Sequence, residues 1–414
     1  MKILDSIKEI YDKEKIENLH ILTKKLENKR EKIEAYNKKR LEEIKENPVK
    51  KVLVLSCGTG GGHNSAAKAV QEALTLKGIQ ADFIEYLEII SPKLKDRVNQ
   101  LYLKTTHKEG RVFKRVYHLG ELYQKTNFKS PVYSLNSLTK NKLLNYILKN
   151  GYSYVATSHL FAAQALTEIK KEYDIRFLAI ATDYVCIPFW EETNPDYLVI
   201  PSKELEESFT SRGISKDKLL PLGIPVAQRY MKNYNKKECK KMLKLDENKR
   251  YILILNGSMG FGNVEKLVQE LLKEFKNVSF MVSCGSNKEL LKSLTALKNR
   301  RVIPIGFTEK LEKYIASSEI VLTKPGGLTT TEVATMRKPF IHTMPIPGCE
   351  NYNANFFSSR EMSFKAENIE EIIEALHTLL KSTEKQHKLI KNQEIYIDRE
   401  ASNKLADFII KELS

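Results

Sequence analysis

Cysteine is sparse in this chain and badly placed for cross-linking. Cys57, Cys186, Cys239, Cys284 and Cys349 are scattered, odd in number and form no C-x-x-C pair. That pattern argues against a disulfide framework and a zinc site, and it fits a reducing compartment. Long apolar runs are missing too: no uncharged stretch reaches the ~18 residues that a bilayer span needs. Met1 to Ile10 carry charges throughout and lack the apolar core of a signal peptide. The expectation is a cytoplasmic protein, soluble or peripheral to a membrane. There is no short-period repeat and no recognisable nucleic-acid motif. Low complexity is confined to the charged N-terminal segment.

What is present is basic charge and an alternating pattern. Lys and Arg total 68 against 52 Asp and Glu, a formal net charge of +16. Such an excess favours anionic partners without choosing among nucleic acid, acidic lipid and phosphorylated ligands. Residues 1–48 are a charged prelude with Ile7, Ile10, Ile16, Leu19, Leu22, Leu26 and Ile33 at helical spacing. They predict one or two amphipathic helices or a short coiled coil, either packed on the first domain or free for membrane contact or dimerisation. From residue 49 on, short β-branched runs alternate with helical stretches. Lys51–Ser56, Gln80–Ile84, Tyr154–Thr157, Phe177–Ala181 and Tyr197–Ile200 read as strands of one set. Tyr251–Leu255, Val278–Val282, Val302–Ile305, Ile320–Leu322 and Pro339–His342 read as a second. The predicted fold class is α/β: two doubly wound Rossmann-like domains, 49–230 and 231–385, facing across a cleft. A helical segment, 386–414, follows.

Four loops carry candidate chemistry. Cys57-Gly58-Thr59-Gly60-Gly61-Gly62-His63 lies between a strand and a helix expected from about Ser65 to Lys77. It lacks the Gly-Lys-Ser/Thr of a Walker A loop, and His63 stands where a dinucleotide loop has its third glycine. An imidazole at the cleft mouth can take a proton from a hydroxyl nucleophile, or it can merely cap and pack. Asn256-Gly257-Ser258-Met259-Gly260 is a second glycine-rich turn before a helix, an anion cradle or a plain tight turn. Thr323-Lys324-Pro325-Gly326-Gly327-Leu328-Thr329-Thr330-Thr331-Glu332 exposes backbone N–H groups where a helix begins. Thr329 and Glu332 have capping-box spacing, and the same Glu332 carboxylate can accept from a ribose diol. In Pro345-Ile346-Pro347-Gly348-Cys349-Glu350-Asn351, the last two residues can read sugar hydroxyls or lie on a plain surface loop.

In this order and at these separations, the loops resemble the monogalactosyldiacylglycerol synthase and processive diacylglycerol glucosyltransferase family, over about residues 50–385. The peptidoglycan glycosyltransferase of the lipid II pathway is a more distant relative. The resemblance implies a family 28-like GT-B fold, an inverting mechanism, no cofactor and no metal. It implies that UDP-glucose or UDP-galactose lies on the C-terminal domain. Its contacts there would be Gly257, Ser258, Met259, Lys324, Gly326, Gly327, Leu328, Thr329, Glu332, Glu350 and Asn351. His63 matches the proposed catalytic base, with Asp183 as its orienting partner. Gly61, Gly62 and Trp190 fall on the acceptor side. Thr182-Asp183-Tyr184 with Pro188 and Trp190 follows the family pattern, except that Cys186 and Ile187 stand where many members carry a histidine before the proline.

Between Thr105 and Tyr133, bases and aromatics interleave, with Arg111, Lys114 and Arg115 at the centre. They form either a solvated face or a surface for anionic lipid. Diacylglycerol at the cytoplasmic membrane face is the acceptor that the family implies. A polyprenyl-linked acceptor, a nucleotide-sugar epimerase and a basic nucleic-acid-binding protein are the alternatives.

Overall fold

The computed structural model describes the backbone of residues 2–46, 49–58, 61–91, 129–255, 264–345 and 348–413, with side chains from residue 23 onward. Two six-stranded parallel sheets organise the chain. The first is built from β1 (Lys51–Ser56), β2 (Gln80–Glu85), β3 (Tyr154–Thr157), β4 (Phe177–Ile180), β5 (Tyr197–Val199) and β6 (Leu219–Leu220). The second contains β7 (Arg250–Leu255), β8 (Val278–Gly285), β9 (Val302–Gly306), β10 (Ile320–Thr323), β11 (Phe340–Thr343) and β12 (Phe364–Ala366). The apolar runs become strands because helices cover both sheet faces, so side chains pointing either way are buried. All four residues of β3, β4, β10 and β11 are buried. β6 and β12 escape sequence reading, since edge strands of two and three residues leave no run to detect.

Strand order fixes where a site can form. In the first sheet the order is β2-β1-β3-β4-β5-β6, so the chain reverses direction across the sheet between β1 and β3. In the second it is β12-β11-β10-β7-β8-β9, with the reversal between β7 and β10. Connections leave on opposite faces at such a point, which opens a crevice beyond the strands' carboxyl ends. His63 follows β1, and Lys324-Pro325-Gly326-Gly327 follows β10.

The segment 386–414 divides between the two halves. Helix Thr383–Tyr396 packs on the second, where Leu389 joins its core. Helix Ala401–Glu412 crosses back to the first: Leu405, Ala406 and Ile409 pack with Val52, Val54 and Val70. Ser402 Oγ donates to Val226 O at 2.6 Å on the same side. The N-terminal prelude is one helix, Lys2–Glu46, rather than two. Its last turns bury Asn37 and Ile44 on the first domain, next to helix Lys140–Asn150, while Leu26 and Tyr36 are exposed. No helix of the described residues is long and apolar enough to cross a membrane.

The crossing helix makes a test of the architecture. Ile409 is fully buried only five residues from Ser414, so Ile409→Ala is expected to destabilise the protein by about 2–4 kcal/mol in urea unfolding. A change below about 0.5 kcal/mol, the size of an ordinary surface substitution, would mean that this helix is not part of the core.

Candidate active site

His63 belongs to the first turn of helix Gly61–Leu76, which starts four residues before the predicted Ser65. Its Nδ1 lies 2.9 Å from the Ser158 carbonyl oxygen and 3.0 Å from Thr182 Oγ1. A carbonyl only accepts, so Nδ1 carries the proton and Nε2 keeps its lone pair. Ser158 Oγ donates back to the His63 carbonyl at 2.9 Å, tying the ends of β1 and β3 together. His159 packs its ring edge-on, 4.8 Å from that of His63. Burial lowers the imidazole pKa below its ordinary value, and the Asp183 charge opposes this only in part. His63 is therefore neutral at pH 7, the form a general base requires.

Ser158 and Thr182 hold the imidazole at Nδ1, while the Asp183 carboxylate accepts from Asn353 Nδ2 at 2.9 Å and acts on His63 through its charge. 

The facing wall is the Lys324–Glu332 segment. Helix Gly327–Thr335 begins directly after Gly326, which caps it without a side-chain bond. This corrects the capping-box expectation: Thr329 is the third helical residue and not the cap, so Glu332 is free of that role. A Cβ on Gly327 would sit 1.9 Å from the Thr182 carbonyl oxygen, so any side chain would push the two halves apart. A Cβ on Gly326 would meet nothing within 4 Å, leaving open space beside the helix start. A Cβ on Gly62 would lie 3.6 Å from Leu328 Cβ, and Gly61 is exposed beside it. The N-termini of the two helices thus meet across the cleft.

Glu332 is buried against Arg229, Tyr230 and Glu312, and burial raises its pKa to about 7 in spite of the Arg229 charge. Lys324 is pushed down by burial, and Glu350 partly offsets this. Glu350 and Asn351 occupy the first turn of helix Cys349–Ser359. Gly348 enters that helix at φ 118°, a conformation for which only glycine is unstrained. The Cys349 thiol is raised by burial and by the Asp183 and Glu350 charges, which places the Cys349–Asn351 turn close to Asp183.

Trp190 requires a correction. Only 3% exposed, it packs in the core of the first half, so its ring supports the Trp190–Glu192 turn and is not presented to a membrane. Gly257, Ser258, Met259, Arg111, Lys114 and Arg115 lie outside the described residues. Among the described residues, no group of three or more His, Cys, Asp or Glu is placed to hold a metal ion. Sequence reasoning missed Ser158, His159, Arg229 and Asn353. Ser158 lies 95 residues from its partner His63, and Asn353 lies 170 from Asp183, so no local pattern announces either pair.

Two parallel sheets with facing switch points and glycine-lined helix starts define a GT-B glycosyltransferase fold. MurG of Acinetobacter baumannii superposes with a TM-score of 0.59 at 16% identity, over 87% of this chain and 99% of that one. S. aureus MnaA in its UDP co-structure also gives 0.59, at 13% identity, over 88% and 97%. Residues 63–226 match the model for monogalactosyldiacylglycerol (MGDG) synthase, and 251–409 match the glycosyltransferase family 28 C-terminal domain. The processive diacylglycerol beta-glucosyltransferase of Bacillus subtilis (strain 168) is 27% identical over 88% of this chain and 96% of its own. The chain belongs to this diacylglycerol glycosyltransferase family.

Glu332 links the site to stability. Its folded pKa of about 7 is above the ordinary 4.5, so burying the carboxyl costs stability above the unfolded pKa and reaches its full cost above about pH 7. Glu332→Gln should therefore raise stability by about 2–3 kcal/mol near pH 8, with the gain vanishing towards pH 4. Denaturant unfolding at the two pH values checks this, and an equal gain at both would rule out ionisation as its origin.

Proposed function

We propose that this protein transfers a hexose, glucose or galactose, from a UDP-sugar to diacylglycerol with inversion at the anomeric carbon. The observation that carries the reading is the meeting of His63, with Nε2 as its unprotonated nitrogen, and the Gly326-Gly327 helix start across one seam. An acid–base group and an anion-stabilising group then flank the same space.

The acceptor hydroxyl attacks the anomeric carbon from the face opposite the diphosphate. Its proton passes to His63 Nε2 as the new C–O bond forms, and the bond to the diphosphate oxygen breaks. Charge spreads over an oxocarbenium-like sugar ring and the departing phosphate. The N–H groups of the helix begun by Gly327 and that helix's dipole stabilise the phosphate side. Lys324 adds to this, and Gly257, Ser258 and Met259 are assigned here by the family resemblance. Glu332, once ionised, accepts from the ribose diol, and Glu350 and Asn351 read the sugar hydroxyls. UDP is part of the MnaA co-structure, and glucosyl transfer to diacylglycerol is in the name of the Bacillus relative; both support the reading here. The basic and aromatic sequence from Thr105 to Tyr133 supports docking on anionic lipid at the cytoplasmic membrane face.

Incubation with labelled UDP-glucose or UDP-galactose and diacylglycerol is expected to move label into the organic phase. Label released only as free sugar would defeat the lipid reading. Sedimentation with anionic vesicles should show binding that weakens with salt. Binding indifferent to both salt and lipid charge would count against the docking surface.

His63→Ala should lower kcat by about 10²–10⁴-fold while UDP still binds. In the wild-type enzyme, kcat/KM should stay level at neutral pH and fall on acidification only below the ordinary imidazole pKa of ~6.5, because burial lowers the value for His63. An acid limb above that value would point to another base.

A further inference from the structure

Asn353 joins the two halves of the site and belongs to none of the roles above. It sits on helix Cys349–Ser359, one turn after Glu350, and is fully buried. Its Nδ2 donates to Asp183 Oδ1 at 2.9 Å and to the Pro325 carbonyl at 2.9 Å. Its Oδ1 accepts from the Tyr184 backbone N–H at 2.6 Å. Both amide hydrogens and the amide oxygen are therefore engaged, and two of the three bonds cross from the second half to the first. Surrounding contacts hold the same junction. Tyr184 Oη lies 2.8 Å from Thr331 Oγ1, and the Tyr184 ring packs 4.8 Å and 4.7 Å from those of Phe356 and Phe357.

We infer that Asn353 is a positioning residue for the transfer reaction: it fastens the Asp183-Tyr184 loop of the acceptor half to the sugar-reading helix and the Pro325 loop of the donor half. The inference rests on the proposed transfer for its kinetic meaning, while the structural link stands without it. Only a side-chain amide serves here. Aspartate has the same shape but offers no donor when ionised, and it would face the Asp183 carboxylate. Leucine would strand a buried N–H, a buried carbonyl and a carboxylate. Burial lowers the proton affinity of His63, and the charge of Asp183 raises it in part, so the placement of Asp183 tunes the base. The bonds that hold Asp183 exist only while the halves are together, so the base is tuned in the assembled site. Asn353 forms no part of the sugar's recognition in this arrangement, since its side chain is fully buried and both amide hydrogens are committed to protein.

A double-mutant cycle of Asn353→Ala and Asp183→Asn tests this, with folding verified by UDP binding. Asn353→Ala alone is expected to lower kcat by about 10–100-fold with the UDP dissociation constant changed less than about threefold. In the Asp183→Asn background the same substitution should lower kcat by less than about threefold, since residues acting through one another are not additive. Losses that multiply in full, or weakened UDP binding with kcat intact, would overturn the inference. Titration of the His63 imidazole by NMR supplies a readout independent of turnover. Its pKa should move down in Asn353→Ala and stay in place when Asp183 is already Asn; no movement in either background overturns the link. If Asn353→Ala fails to fold, Asn353→Asp carries the test. Its kcat relative to wild type should recover on acidification, as the new carboxyl regains a proton to donate, and a pH-independent ratio overturns the inference. Absence of transfer by the wild-type enzyme, with the NMR shift present, would defeat the proposed function and leave the Asn353 link standing.

Discussion

The approach of Gly327 to the Thr182 carbonyl is the contact on which the site depends. With no Cβ at that position, the helix start of the second half can lie directly on the loop that follows β4. Everything else at the junction needs that closeness. Leu328 reaches Gly62, Tyr184 slots between Thr331 and the Phe356–Phe357 pair, and Asn353 spans Asp183 and Pro325. A methyl group on Gly327 would separate the surfaces by more than a hydrogen bond tolerates. One glycine thus serves the seam as a spacer of zero width, a use separate from any backbone approach to a phosphate.

Burial at this seam shifts its ionisable groups towards their neutral forms. His63 and Lys324 are lowered, while Glu332 and Cys349 are raised, and in each case the largest cause is loss of solvent. A carboxyl, an imidazole and an amine held this way are poised to respond to a charged ligand. In such surroundings a diphosphate or a transferred proton interacts more strongly than it would in water. The same burial explains why the site detracts from stability: Glu332 is costly to ionise in the fold.

Much of the fold was legible in the chain. The β-branched runs marked ten of the twelve strands, because a strand covered on both faces must be apolar at every position. His63, Gly326-Gly327 and Glu332 stood out as loop chemistry, and the structure brings the loops that bear them to one seam. The local reading failed where geometry depends on a phase or an end. Thr329 has the spacing of a cap, but the helix begins two residues earlier and draws it inside. Trp190, placed on the acceptor side by the family resemblance, lies in a turn that folds inward.

The sequence by itself determined the element types, the two-sheet class and the residue types at the ends of β1 and β10. These follow from local pattern: periodicity, glycine and the chemistry of single side chains. Tertiary structure alone decided which nitrogen of His63 carries the proton, which asparagine holds Asp183 and which domain the last helix joins. Each of those outcomes is a contact between residues roughly a hundred or more positions apart, and only the packing of the two sheets sets such distances.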